Sequence, residues 1–324
     1  MTGLLIKVPP FRSEGPNGYL LRLADANKLE LSDLNDLGIV FDLEVLMRNQ
    51  LLPDRELDPL LWDWVQQITE LRRKKTRIWN GRFSRFCPLC LQDEPAWRAE
   101  WEVFFHDVCP RHGVWMVDRC SSCNEVIPWN RSELLRCGCG ADLRTEASKA
   151  APDEVRHLSM TLMCKLRNQE LSDTPEVLQA ADIDEAQRLI RYLGTHLDPA
   201  GGVKRMKLRN VGRMEISWPV TSIAAAILSD WPIAFQRGLS KIQESASGQK
   251  LSFPKVFKNT YHYLYRGLKS PSFDGVRYAF ELWLVENWRG GLALRNRRLT
   301  VARQLLWPVR VNYLGRLTLG NLLV

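Results

Sequence analysis

Apolar side chains recur every three to four residues along most of the chain, the spacing that predicts amphipathic helices. In GYLLRLADANKL (18–29), Leu20, Leu23 and Ala24 fall on one stripe. LSDLNDLGI (31–39) is a shorter helical pattern ending near Gly38, and DLEVLMRNQLL (42–52) resumes the stripe. Helix, short helix, helix is the layout of a helix-turn-helix, and also of a plain bundle, the commoner fate of three short amphipathic helices. A fourth helix, ELDPLLWDWVQQITELRRKK (56–75), is expected to carry Leu60, Trp64, Ile68 and Leu71 on one face. Its basic last turn suits the helix macrodipole.

From residue 87 to about 144 this periodicity disappears and Cys, Gly, Pro and Trp take over, as expected where a metal rather than an apolar core sets the fold. Helical patterns return near 153–171, 175–197, 222–246, 256–270 and 273–290, with Pro232 expected to break or kink the third. No fixed-period repeat or low-complexity stretch is evident. The expected fold is therefore mainly α. It comprises an N-terminal region of short helices (1–80), a separate Cys-rich module with little β structure (81–146) and a C-terminal helical domain (147–324).

The chain has 324 residues, 45% of them hydrophobic and 25% charged, a normal globular balance that argues against disorder. Its longest weakly polar run, VTSIAAAIL (220–228), is far below the roughly 20 residues needed to cross a bilayer. The opening MTGLLIKVPPFRSEG shows no apolar leader segment, so a reducing cytoplasm is the expected compartment.

A net charge of +8 favours an anionic partner, and the distribution strengthens that reading. Residues 71–85 hold Arg72, Arg73, Lys74, Lys75, Arg77, Arg82 and Arg85 with no acid. Residues 203–213 add Lys204, Arg205, Lys207, Arg209 and Arg213, and from Asn287 onward there are seven arginines and no Asp or Glu. Any one such run is commonly a solvated face. Three of them beside a metal cluster shift the expectation toward phosphate contacts, with Arg72, Arg73, Lys74, Lys75, Arg77, Lys204, Arg205 and Lys207 as candidates.

Seven of the eight cysteines lie between Cys87 and Cys139. The spacing reads C-x2-C-x18-C-x2-H, seven residues, then C-x2-C-x13-C-x1-C, which supplies eight ligands. Two thiolates in a C-x2-C turn reach one tetrahedral ion, and two such pairs complete the shell that structural Zn²⁺ prefers. The sets are Cys87, Cys90, Cys109 and His112, then Cys120, Cys123, Cys137 and Cys139. An interleaved pairing, first pair with third and second with fourth, is also compatible with the spacing. His106 competes with His112, but Cys109-Pro110-Arg111-His112 has the compact geometry, and His106 sits in the strand-like run WEVFFHDV. Cys164, on an apolar helical face, reads as a small core residue.

Both sets have four protein ligands, so neither keeps the open position that zinc catalysis needs. The deaminase, H-E-x2-H, P-loop and G-x-S-x-G patterns are absent, and scattered carboxylates leave a metal-dependent nuclease as a minor alternative. Trp97 and Trp101 could stack on bases, but large apolar residues beside a metal knuckle more often pack the finger against a helix.

The string from Arg85 to Trp129 resembles the core of the TniQ/TnsD family of transposition target-selection proteins. Its marks are C-P-x-C at Cys87–Cys90, W-R-x2-W at Trp97, Arg98 and Trp101, C-P-x-H-G at Cys109–Gly113 and D-R-C-x2-C at Asp118–Cys123. PPFRSEGPNGYLLRLADANKL is similar to the family's entry segment and first helix, and ILSDWPIAFQRGL to its later D-W-P segment.

The resemblance implies a helix-turn-helix-like start, two successive fingers of CCCH and CCCC type holding two Zn²⁺ ions, and a helical C-terminal region. It favours the sequential pairing. It also implies a non-catalytic adaptor that links target DNA or a CRISPR RNA-guided complex to an AAA+ transposition ATPase; a homodimer is a candidate association beside it, and the short apolar runs speak for no membrane partner. A stand-alone zinc-dependent DNA-binding regulator is the alternative. Many relatives continue into another helix-turn-helix, whereas here Pro308 and Gly315 interrupt any long recognition helix near the end of the sequence.

Overall fold

A computed structural model describes residues 4–197, 212–246 and 253–288. They fall into two compact units, one running to Thr174 and taking in Asp182–Ser229, the other comprising Pro175–Ala181 and residues from Asp230 onward. The boundaries expected near 80 and 146 both lie inside the first unit.

The first unit is helical apart from one two-stranded sheet among the described residues. α1 (Pro16–Ala26) starts with proline at N1 and buries Tyr19, Leu20, Leu21, Leu23 and Ala24. α2 (Leu31–Asp36) is closed by a reciprocal capping box between Glu30 and Asp33. α3 (Leu43–Arg48) is capped by the Asp42 carboxylate, which accepts from Glu44 N. The three helices follow in the expected order, with α2 and α3 only six residues each.

α4 (Pro59–Lys74) forms where expected but turns a different face inward. Leu61, Val65, Ile68 and Thr69 are buried, whereas Leu60 is 58% exposed and Trp64 and Leu71 are half-buried. Both rows satisfy helical periodicity, and the buried one is anchored by Thr69, whose Oγ1 accepts from Leu43 N at 3.1 Å, while half-buried Trp64 donates from Nε1 to Glu14 O at 3.1 Å.

The Cys-rich segment begins with α5 (Pro88–Asp93). WEVFFHDV does not form the expected strand. Residues 99–102 make a 3-10 turn, and Phe105 adopts φ +64°, which breaks the alternation. The strand that follows is β1 (Val108–Cys109), paired antiparallel with β2 (Val114–Trp115) in the register Val108 to Trp115 and Cys109 to Val114.

α6 (Asp153–Leu166) packs on β1 and on a later helix of the same unit. The helix expected over 175–197 is two pieces, α7 (Glu176–Gln179) in the second unit and α8 (Ile183–His196) in the first. Asp182 is the reason for the break. Its carboxylate accepts from Glu185 N while Glu185 accepts from Asp182 N, a capping box that starts a new helix. α9 (Met214–Ser229) begins earlier than the pattern suggested and contains Pro219. It lies so close to α8 that a Cβ on Gly194 would meet Val220 O at 2.2 Å.

The helical run breaks at the expected place, with α9 ending at Ser229 and Pro232 at the N-cap of α10 (Ile233–Ser245); in the second unit α10, α11 (Phe253–His262) and α12 (Asp274–Asn287) enclose an aromatic core. Phe257 sits 5.4 Å from Trp283 between ring centroids, and Trp283 Nε1 donates to Ser240 Oγ at 3.2 Å. Among the described residues no helix is long and apolar enough to cross a membrane.

Candidate metal centres and their supporting shell

Two knuckles deliver the first four ligands. Cys87 caps α5, with Pro88 supplying a fixed first helical turn, so that Cys90 comes round onto the same side. The turn between β1 and β2 brings Cys109 and His112 together, closed by Gly113 N donating to Cys109 O at 2.8 Å. Gly113 has φ +64°, a left-handed conformation that favours glycine.

The result is compact. Cys90 Sγ lies 3.6 Å from Cys109 Sγ, and His112 Nδ1 lies 3.4, 3.3 and 3.6 Å from Cys87, Cys90 and Cys109 Sγ. Bonds of about 2.3 Å to a tetrahedral Zn²⁺ imply sulfur–sulfur edges of about 3.8 Å, so the donor set fits that ion. The outward-facing Nε2 of His112 is 3.6 Å from an Asp93 carboxylate oxygen, the kind of neighbour that orients a ligating imidazole.

Cys120, Cys123, Cys137 and Cys139 form the second group, with Cys120 Sγ to Cys139 Sγ and Cys123 Sγ to Cys137 Sγ both 3.7 Å. Within each group all four ligand atoms lie within 4.8 Å of one another. The chain thus gathers the ligands in sequential rather than interleaved sets. Asn124, at φ +60°, donates its N–H to Cys120 O, and Glu146 accepts from Ser121 N at 3.0 Å, which fixes the second knuckle. His106 belongs to neither group. It is fully buried with both ring nitrogens unpartnered, and burial pushes its pKa down to about 3. Cys164 is likewise outside both groups and buried in α6.

The tryptophans are packing groups. Trp97 is wholly buried, with Phe86, Trp101 and Trp129 at 5.3, 6.0 and 6.3 Å between centroids and the Arg131 guanidinium 4.7 Å from its ring centroid. Leu21 of α1 and Met214 of α9 belong to the same apolar cluster as six of the cysteines, counting half-buried Cys123.

A polar framework beneath this cluster was not anticipated. Arg85, read as part of a basic run, is fully buried and paired with the equally buried Asp107. Asp107 also accepts from Ser217 Oγ at 2.6 Å and from Thr221 Oγ1, which ties the metal region to α9. Burial lowers the Arg85 pKa, and the Asp107 charge opposes that shift. Asp118 accepts from Met214 N at 2.8 Å. Glu102, also buried, accepts from Asn17 N at 2.8 Å and Gly18 N at 2.9 Å at the start of α1. Burial pushes its pKa up to about 7. The available sequence signal was charge inside apolar context: Asp107 within FFHDV, Arg85 between Ser84 and Phe86.

The basic candidates prove heterogeneous. Arg73 pairs with Asp42, Lys74 with Glu70 at 3.1 Å and Lys75 with Asp182 at 2.8 Å. The Asp182 hydrogen bond raises the Lys75 pKa. Arg72 is half-buried, while Arg77 and Arg82 are exposed. Lys204, Arg205, Lys207, Arg209 and the arginines beyond residue 288 lie outside the described residues.

Comparison with known proteins agrees with this architecture. The TniQ family model matches residues 5–115, the stretch that contains α1 to α5, the first metal group and the β1–β2 turn. Over this stretch the chain is similar to the TniQ family. The second cysteine group and the D-W-P segment lie beyond the match. No curated protein matches the chain.

Proposed function

We propose that the protein is a non-catalytic, zinc-containing adaptor for transposon target-site selection, linking target DNA or a CRISPR RNA-guided complex to an AAA+ transposition regulator. The TniQ match over residues 5–115 carries this reading. Two four-ligand groups support it, since each offers Zn²⁺ a closed shell and a role in folding rather than chemistry. The helix-turn-helix reading of α1–α3 enters as part of the proposal, supported by the order of three short helices. Nucleic-acid contact through Arg72, Arg73, Lys74, Lys75, Arg77, Lys204, Arg205 and Lys207 is also part of it, and the exposed Arg77 best fits phosphate.

The test is a pull-down of the purified full chain with the transposition ATPase encoded beside it, run against an EDTA-treated sample and Cys120→Ser. Zinc-dependent capture is the expected outcome. Specific DNA binding without ATPase capture would instead establish a stand-alone regulator, and cutting of DNA by the pure protein would establish a nuclease.

A further inference from the structure

Met160, Met163 and Arg167 share one face of the α6 segment at spacings of three and four residues, and form one wall of a cavity of about 190 Å³. Trp101, Pro110, Arg98, Arg111 and Glu100 also line it, and it abuts the first metal group through Cys90 and Cys109. Arg98, Trp101 and Pro110 belong to the sequence marks of the metal region, yet none of them is among its ligands.

The lining combines two chemistries. Thioethers, an indole and a proline ring form an adaptable apolar surface about large enough for one leucine or phenylalanine side chain. Three guanidinium groups surround it. Arg98 and Arg111 are paired with Glu94 at 3.3 Å and Asp93 at 3.2 Å, carboxylates that are themselves 42% and 45% exposed. Surface pairs of this kind contribute little net stability, so an incoming carboxylate can replace them at small cost. Arg167 is held more firmly by buried Glu100 at 3.0 Å, and its Nε is a buried donor without an acceptor. A bare phosphate would leave the thioether and indole wall uncovered, whereas an apolar side chain beside a carboxylate uses both parts.

We propose that this cavity is an anchor pocket for a protein partner, receiving one apolar side chain of a partner segment whose neighbouring carboxylates pair with Arg98 and Arg111. The inference stands apart from the adaptor reading, because it needs a segment of this chemistry rather than an ATPase.

The test uses the full, metal-loaded chain with ¹³C-methyl-labelled methionine, titrated with the acidic peptide acetyl-Asp-Phe-Glu-amide and its uncharged counterpart acetyl-Asn-Phe-Gln-amide. The Met160 and Met163 methyl signals, assigned with Met→Leu variants, should shift with the acidic peptide and about tenfold more weakly with the uncharged one. Arg98→Gln combined with Arg111→Gln should weaken the acidic peptide about tenfold while leaving metal content unchanged. Met163→Phe, which fills the cavity, should abolish the Met160 shift. Equal response to both peptides, the same shifts from inorganic phosphate, or no shift at millimolar peptide would overturn the proposal.

Discussion

A Cβ placed on Gly18 would lie 2.3 Å from the Cβ of Trp97 and 2.9 Å from its carbonyl oxygen. Helix α1 and the W-R-x2-W turn therefore meet backbone to backbone, with no room for a methyl group. Gly18→Ala would ordinarily favour a helix interior by up to about 1 kcal/mol. Here the overpacking term, about 1–3 kcal/mol, should win, and urea unfolding should show a net loss of stability. A gain would mean that α1 is free to move off the turn.

Glu102 should make stability depend on pH. Its proton is held to about 7 in the folded chain against an ordinary value of 4.5, so between these values the folded state binds more protons than the unfolded one. Stability contributed by that proton is complete below 4.5 and is lost as pH rises through 7, by about 3 kcal/mol at most. Glu102→Gln removes this titration. Unfolding measured at pH 6 and pH 8 should show the wild type losing ground to the variant, a comparison in which the opposite pH dependence of metal binding cancels.

The Arg85–Asp107 pair should be costly to break from one side. Asp107→Asn leaves a fully buried guanidinium without its counter-charge and should cost about 3–5 kcal/mol, read by chemical denaturation. Ser217→Ala removes one of several donors to Asp107 and should cost about 1 kcal/mol.

Cadmium substitution can check the ligand grouping. The grouping in space gives one site with three sulfurs and a nitrogen, and one with four sulfurs. In ¹¹³Cd spectra, Cys87→Ser should disturb the three-sulfur signal and leave the four-sulfur signal intact. Interleaved sites would give the opposite result, since Cys87 would then belong with Cys90, Cys120 and Cys123.

Local signals were read well from sequence and relational ones poorly. The knuckle spacing around Cys87 and Cys120 and the helical periodicity of α1 and α6 are properties of short windows, and they appear where the pattern put them. The inward face of α4 was misjudged because Leu60 and Leu61 are equally apolar, and Leu43, distant in sequence, anchors Thr69 of the row that turns inward. Composition counted Arg85 as surface charge because its partners, Asp107 and the Trp101 carbonyl, are supplied only by the fold. The split between α7 and α8 was legible in principle, since Asp182 and Glu185 have capping-box spacing, but continuous apolar periodicity masked it.

The shared cluster that joins Leu21, Trp97 and Met214 to the cysteines has a practical consequence for anyone cutting and pasting this protein. Residues 81–146 look like a portable cassette. Excised, they would lose the α1 and α9 side chains that cover Trp97 and the hydroxyl donors that satisfy Asp107, exposing apolar surface beside an ion pair stripped of its cover. Chimeras made with related chains should therefore place their junctions outside α1 and beyond α9, and treat everything between as one inherited block.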